Sequence, residues 1–363
     1  MSTTRGAPRG RGRGTSVTRV DEPRTDGGRS TPTLEQVARL AGVSRATASR
    51  AVNGGNRVSP RSQAAVDAAV RELGFSPNPA ARSLVTRRTD SVAVVVPEPD
   101  ERVFADPFFA RTLRGVTEVL SDRDLQLVLL LARPGEEESR MLRYLGRRHV
   151  DGAIVVSHHR SSGLADHLAD LRLPCVFVGR PWTGADRVAY VDTDNVAGGK
   201  QATEVLITRG CHRIATIAGP SDMTAGSDRL DGWRGALLAA GLDDSAVEYG
   251  NFSEEGGYEA ARRLLAHHPD LDGIVAASDL MALGALTALR EDGREVPRDV
   301  ALIGYDDVGI AERTSPQLTT VRNPISEMAE QATRMLLEQI DAGRPAHAVR
   351  VIFPPAVVGR DSA

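Results

Sequence analysis

Cysteine and lysine are almost missing: the 363 residues hold two cysteines, Cys175 and Cys211, and one lysine, Lys200. Two cysteines cannot build a disulfide framework or a cysteine-rich zinc site, so they read as buried thiols in a reducing cytosol. No uninterrupted apolar run approaches the length of a membrane span, and no transmembrane helix is expected. The N-terminus has no apolar signal-peptide core, so no export is expected either. The motifs H-E-x-x-H, G-x-S-x-G and the phosphate-binding loop of nucleotide hydrolases are absent. Gly198-Gly199-Lys200 lacks the spacing of such a loop, and the adjacent pairs His158-His159 and His267-His268 diverge on regular elements. No catalytic residue, metal or cofactor is therefore expected. What is present, 41% hydrophobic and 26% charged residues, suffices for a packed core over most of the chain.

The formal net charge of −3 conceals an asymmetry. Residues 1–90 carry 16 arginines and 7 acidic residues, whereas the remaining 273 carry 29 basic and 41 acidic ones. A basic front on an acidic body implies that the front meets a polyanion. Residues 1–31, rich in Arg, Gly, Ser, Thr and Pro, read as a disordered basic arm.

Residues 32–76 read as three short helices. Thr33-Leu34-Glu35-Gln36 is a capping box, and Leu34, Val37, Ala38 and Ala41 recur at helical spacing. Gly42 permits a turn and Ser44 caps a second helix carrying Arg45, Thr47, Ser49 and Arg50. Ser59-Pro60 opens a third helix, closed by Gly74. This is a helix-turn-helix, with Arg45 and Arg50 able to reach guanine edges and Ser44 able to aim N–H groups at a phosphate. Residues 77–90 form a linker in which Asn78-Pro79 opens a helix, Ala80–Leu84, too short to be stable alone. From Ser91 onward, continuous apolar runs alternate with helical segments, the pattern of parallel strands covered on both faces. Some 270 residues are divided most easily between two α/β lobes.

The run Thr33–Asn53 resembles the N-terminal signature of the LacI–GalR family of bacterial transcription regulators. The resemblance continues through Glu72–Leu84, Asp106–Ala110, Arg229–Trp233, Ala277–Gly284, Val300–Asp307 and Leu318–Pro324, covering about residues 33–361. It implies base-reading roles for Arg45, Ala46 and Arg50, and phosphate contacts for Thr33, Ser44, Thr47 and Asn53. It implies a hinge helix bearing Ala81, Arg82 and Leu84, with Leu84 wedged into the minor groove at an easily deformed central step. Ala48 and Ala51 depart from the bulkier aliphatics usual in the family, which leaves the small helical core short of methyl groups.

The same resemblance implies a body like the periplasmic sugar-binding proteins: a doubly wound parallel-sheet effector domain of two lobes. The lobes are expected at 91–190 with 325–348, and at 191–324 with 349–363. The effector is expected in the cleft, held by Phe108, Phe109, Arg229, Phe252, Ser278 and Asp306. Trp182 is a further candidate wall, and Asp222 and Asp228 are supplementary acceptors. An arginine fork, a carboxylate and aromatic faces suit a mono- or oligosaccharide. The chain is thus expected to be a cytoplasmic, homodimeric repressor of carbohydrate-use genes on a near-palindromic operator. The alternatives are a purine-responsive corepressor-dependent repressor, a periplasmic-type sugar-binding protein, and a doubly wound enzyme.

Overall fold

A computed structural model describes residues 32–53, 58–76, 88–123, 125–133, 136–346 and 349–363. The basic arm and the hinge residues Ala81, Arg82 and Leu84 lie outside the described residues. The chain divides into two compact units, with the boundary between Arg82 and Ser83.

In the first unit, helices α1 (Leu34–Leu40), α2 (Arg45–Val52) and α3 (Pro60–Leu73) pack around Val37, Ala38, Ala48, Ala51, Val66 and Ala69. The expected caps form. Thr33 and Gln36 make the reciprocal capping box, Ser44 accepts the Thr47 N–H, and Ser59 accepts the Ser62 N–H ahead of Pro60. Gly74 ends α3 at φ +62°, a left-handed conformation that suits a residue without Cβ. Ala48 and Ala51 are both buried, so this core does close over small side chains.

In the second unit the first lobe begins with β1 (Ser91–Val96), α4 (Asp100–Ala105), α5 (Pro107–Leu120) and β2 (Gln126–Leu131). It continues with α6 (Glu136–Gly146), β3 (Gly152–Val156), α7 (Leu164–Asp170), β4 (Cys175–Val178) and β5 (Ala189–Thr193). The chain then crosses to the second lobe through α8 (Asn195–Arg209), β6 (Ile214–Ala218), α9 (Thr224–Ala240), β7 (Val247–Tyr249) and α10 (Glu254–His267). There follow β8 (Gly273–Ala276), α11 (Asp279–Glu291), β9 (Ala301–Asp306) and β10 (Thr319–Arg322). It returns to the first lobe with α12 (Ile325–Ala342) and β11 (Arg350–Phe353), and crosses a third time to β12 (Ala356–Val358).

The sheet orders are β11-β5-β4-β3-β1-β2 and β12-β10-β9-β8-β6-β7, parallel throughout except β12, which runs antiparallel to β10. Separate apolar clusters fill both faces of each sheet, which is why the strands read as unbroken hydrophobic runs. Two expected boundaries are corrected. The first crossing falls after Thr193, because β5 pairs with β4 along Ala189–Val191. The third falls after Phe353, because β11 pairs in parallel with β5, Arg350 opposite Tyr190. Residues 349–353 therefore belong to the first lobe.

Candidate functional site

On α2 the exposed positions are Arg45, Ala46 and Arg50, while Ala48 and Ala51 turn into the core and Thr47 and Ser49 are half-buried. The helix thus presents as one outward face the three residues expected to read bases. Ser44 Oγ and Thr47 Oγ1 bond to each other at 2.9 Å. Asn53 Nδ2 donates to the Ser49 carbonyl at 2.8 Å and finishes the helix. Arg50 Nε rests on the Ala46 carbonyl at 3.2 Å, leaving its terminal nitrogens outward.

In the second unit, both parallel sheets present the C-terminal ends of their strands to the cleft, where ligands bind in open α/β sheets. A cavity of about 80 Å³ lies there. The first lobe lines it with Arg102, Asp106, Phe108, Ser157 and Val178; the second with Met223, Ala225, Arg229, Phe252, Ser278 and Asp306. Wider depressions of 430 and 810 Å³ occur on the first lobe, the smaller lined chiefly by charged side chains and the larger by a mixture of charged and apolar ones. In the cleft, by contrast, largely buried and oppositely charged groups from separate elements converge on one cavity.

Five of the six expected cavity residues are present. Phe109 is not: Asp106 caps α5 through the Phe108 N–H and Pro107 starts the helix, so neighbouring rings point about 100° apart. Phe108 reaches the cavity, while Phe109 packs into the first-lobe core. Trp182 and Asp222 do not line the cavity; the Trp182 indole instead donates to the Asp222 carbonyl oxygen. Asp228 is taken up by Arg180, whose Nη2 donates to both carboxylate oxygens, at 2.7 and 2.6 Å. Sequence reasoning missed Arg102, Asp106 and Ser157. The signals were an aspartate before Pro107 just beyond β1 and a serine at the end of β3.

Arg229 is the centre of the site. It is buried, and its guanidinium lies 3.6 Å from the Tyr305 ring centroid. Its Nε donates to Asn195 Oδ1 at 2.9 Å, Nη1 to the Ala277 carbonyl at 2.5 Å, and Nη2 to Asp306 Oδ1 at 3.4 Å. Asp306 also accepts Asn323 Nδ2 at 3.1 Å. The Phe252 ring stands between the two lobes' arginines, 5.8 Å from Arg229 and 5.5 Å from Arg102. It lies against Gly219, where a Cβ would come within 2.4 Å of the ring. Ser157, Phe252 and Asp306 all hold positive φ, at +57°, +61° and +103°. Left-handed backbone at three lining residues is strain of the kind concentrated at binding sites.

The carboxylates are tuned by burial. Asp106 is pushed up to about 6 by desolvation, opposed by the Phe108 N–H and reinforced by the charge of Asp306. Asp192 also rises to about 6 through burial. Asp279 rises to about 8, again chiefly through burial and then through Asp306, although Thr320 and the Val308 N–H bond to it at 2.6 and 2.9 Å. Asp279 is therefore neutral at pH 7 and loses its proton only as the pH passes 8. Because the unfolded chain ionises near 4, this group makes the folded state less stable as pH rises from about 4 to 8. Asp279→Asn, which keeps the shape and the neutral form, is expected to flatten the fall in Tm between about pH 6 and 8. Thermal melts across that range, wild type against variant, measure it; parallel curves would refute it.

Comparison with known proteins follows the same division. Residues 33–78 match the family described as bacterial regulatory proteins, lacI family, and residues 203–363 match a periplasmic binding protein-like domain. The HTH-type transcriptional regulator CelR of Thermobifida fusca is 48% identical over 92% of this chain and 99% of its own length. The ribose operon repressor of Escherichia coli (strain K12) is 35% identical over 85% of this chain and 93% of its own. A solved structure of a CelR–cellobiose complex, 46% identical, superposes with a TM-score of 0.73 over 92% of this chain and all of that one. The lac repressor dimer bound to operator, 24% identical, shares the fold with a TM-score of 0.80 over 92% of this chain and 99% of that one.

Proposed function

The chain belongs to the LacI family of bacterial transcription regulators, and from that premise we propose that it represses carbohydrate-use genes as a homodimer under the control of a cellobiose-like sugar. Its helix-turn-helix is the DNA-binding module of the family, and α2 carries the outward face that a major groove would meet. One observation carries the effector reading: an arginine fork, two carboxylates, two serines and two phenyl rings from both lobes converge on one cleft cavity. Sugar hydroxyls both donate and accept, so mixed donors and acceptors satisfy them, while the rings' faces take the apolar C–H surfaces. The relative whose solved structure is a cellobiose complex is nearly half identical to this chain, which favours a glucose disaccharide over ribose or a purine.

The cavity is far below the roughly 300–1,000 Å³ of ordinary ligand pockets. A disaccharide enters only when the lobes part or Phe252 swings aside. Where entry parts the lobes, binding is coupled to lobe geometry. The sugar regulates DNA binding only if it prefers one lobe arrangement, and the strength of the response equals that difference in affinity.

The test is a gel shift of genomic fragments at moderate salt, repeated with cellobiose, glucose, galactose and ribose. Retarded fragments with a near-palindromic site, altered by cellobiose, are expected. Absence of any shift, or turnover of a sugar, would refute the reading. Arg50→Ala is expected to weaken a cognate site by about 1–3 kcal/mol while leaving random DNA nearly unchanged. Equal losses on both would remove Arg50 from base reading.

A further inference from the structure

Behind the cavity, the His159 imidazole stands between two carboxylates from different lobes. Its Nε2 is 3.0 Å from Glu98 Oε1 in the first lobe, and its Nδ1 is 2.8 Å from Asp222 Oδ2 in the second. A neutral imidazole has one N–H and one lone pair, so one carboxylate would face a lone pair. The imidazolium donates to both.

The surroundings favour that cation. Glu98 is buried, and the same oxygen receives Arg102 Nη1 at 2.7 Å and Ser157 Oγ at 2.6 Å. Burial pushes the Glu98 carboxyl up, but the His159 hydrogen bond and the Arg102 charge outweigh it and hold it below the usual range. The bond to Glu98 in turn holds His159 above the usual imidazole range against its own burial, with Asp222 adding to the effect. The neighbouring charges are otherwise engaged. His158 is pushed down to about 4 by burial and sits neutral against the Gly179 carbonyl. Arg160 stacks on Trp182 at 3.9 Å, and Arg180 is paired with Asp228.

The second-lobe segment Asp222–Asp228 is therefore fastened to the first lobe at several points. The Arg160 N–H donates to the Asp222 carbonyl at 2.9 Å, Thr224 Oγ1 donates to the Arg180 carbonyl at 2.6 Å, and Arg180 grips Asp228. Of these, the His159 contact alone changes charge near neutral pH.

We propose that His159 is a proton-operated latch on lobe closure: as the imidazolium it ties Glu98 to Asp222 and holds the cleft shut, and as the free base it lets the Asp222 segment go. The latch is complete at low pH and is lost as pH rises through the closed-state value of His159. Its consequence for sugar binding rests on the regulator reading; the latch itself does not.

Trp182 reports the latch directly, because its indole donates to the Asp222 carbonyl across the lobes. The other tryptophan, Trp233, is buried in the second-lobe core. In full-length protein bearing Trp233→Phe, the Trp182 emission is expected to shift to the red as pH rises from about 6 to 8.5, with a midpoint above the ordinary histidine value of about 6.5. His159→Gln should remove the shift. Asp222→Asn is the second variant: His159 still titrates against Glu98, so simple quenching of the indole would persist, whereas a latch between the lobes would not. No transition in the wild type, or one that survives in either variant, overturns the proposal. Because the shut cleft is too small for a disaccharide, calorimetric titration with cellobiose over the same range should show several-fold weaker binding at the acid end in the wild type only. Failure of cellobiose to bind at any pH would count against the effector reading, while the fluorescence series decides the latch.

Discussion

Arg229→Ala is expected to weaken sugar binding by a hundredfold or more and to lower the melting temperature as well. A guanidinium has five N–H groups. Three of those on Arg229 are committed to Asn195, Ala277 and Asp306, which leaves two for a ligand. Losing two charge-assisted hydrogen bonds at about 1.5–3 kcal/mol each accounts for the affinity. The stability loss has a separate origin. The substitution strands the Asn195 and Ala277 oxygens and leaves Asp306 without its cation, and breaking a buried ion pair on one side costs about 3–5 kcal/mol. Arg229→Lys keeps the charge but not the planar fork, so it should recover part of the stability and little of the affinity. Calorimetric titration with cellobiose and a thermal melt separate the two effects. A variant that melts early yet binds sugar normally would make Arg229 structural only.

Arg229 also joins the cavity to the strands between the lobes. Asn195 follows the first crossing and bonds back to Asp192 Oδ1 at 3.2 Å, while Asp306 is bonded to Asn323 at the second crossing. Movement of the guanidinium toward a ligand must therefore disturb groups at two of the three crossings. Packed polar networks of this kind carry a local change to an interface because each bond has a defined partner to lose.

The sequence made the general architecture readable for a simple reason. Val92–Val96, Ala153–Val156 and Ile214–Ile217 are covered on both faces, so burial is written into them without alternation. The edge and crossing strands gave weaker signals. Along β11, Arg350–Phe353 alternate between exposed and half-buried, and nothing in four such residues says which sheet they join. Neighbouring residues in the cleft raised a related problem. Phe108 and Phe109 are alike in composition, and only the helix phase fixed by the Asp106 cap separates cavity from core. Arg102 sits on α4, a helix of six residues that no periodicity announces. Ser157 depends on a positive φ that no local glycine or asparagine foreshadows. Gly198-Gly199 was legible as unusual but not as packing: a Cβ on Gly199 would lie 2.2 Å from the Arg229 carbonyl oxygen, and one on Gly198 2.2 Å from the Tyr305 hydroxyl. These glycines let α8 approach α9 and β9 closely; they cradle no phosphate.

The same contact supplies a pair of substitutions with opposite signs, three residues apart on α9. A Cβ at Gly232 would stand 2.1 Å from the Val196 carbonyl oxygen and 2.7 Å from the Lys200 nitrogen, both backbone atoms of α8. Neither can rotate away, so Gly232→Ala must push the two helices apart. Overpacking of this kind costs about 1–3 kcal/mol and can exceed that where backbone opposes backbone. For a domain of this size a loss of about 3 kcal/mol lowers Tm by roughly 6–12 °C. Separation of α8 from α9 also displaces Asn195 and Arg229, so sugar affinity should fall with it. Gly235 faces solvent on the same helix and has nothing within 4 Å of its would-be Cβ. Gly235→Ala therefore gains only helix propensity and reduced freedom of the unfolded chain, about 0.5–1 kcal/mol of stabilisation. Melting both variants beside the wild type tests the packing argument, since a general intolerance of α9 to substitution would lower both. If Gly232→Ala melts at the wild-type temperature, α8 and α9 do not approach each other this closely.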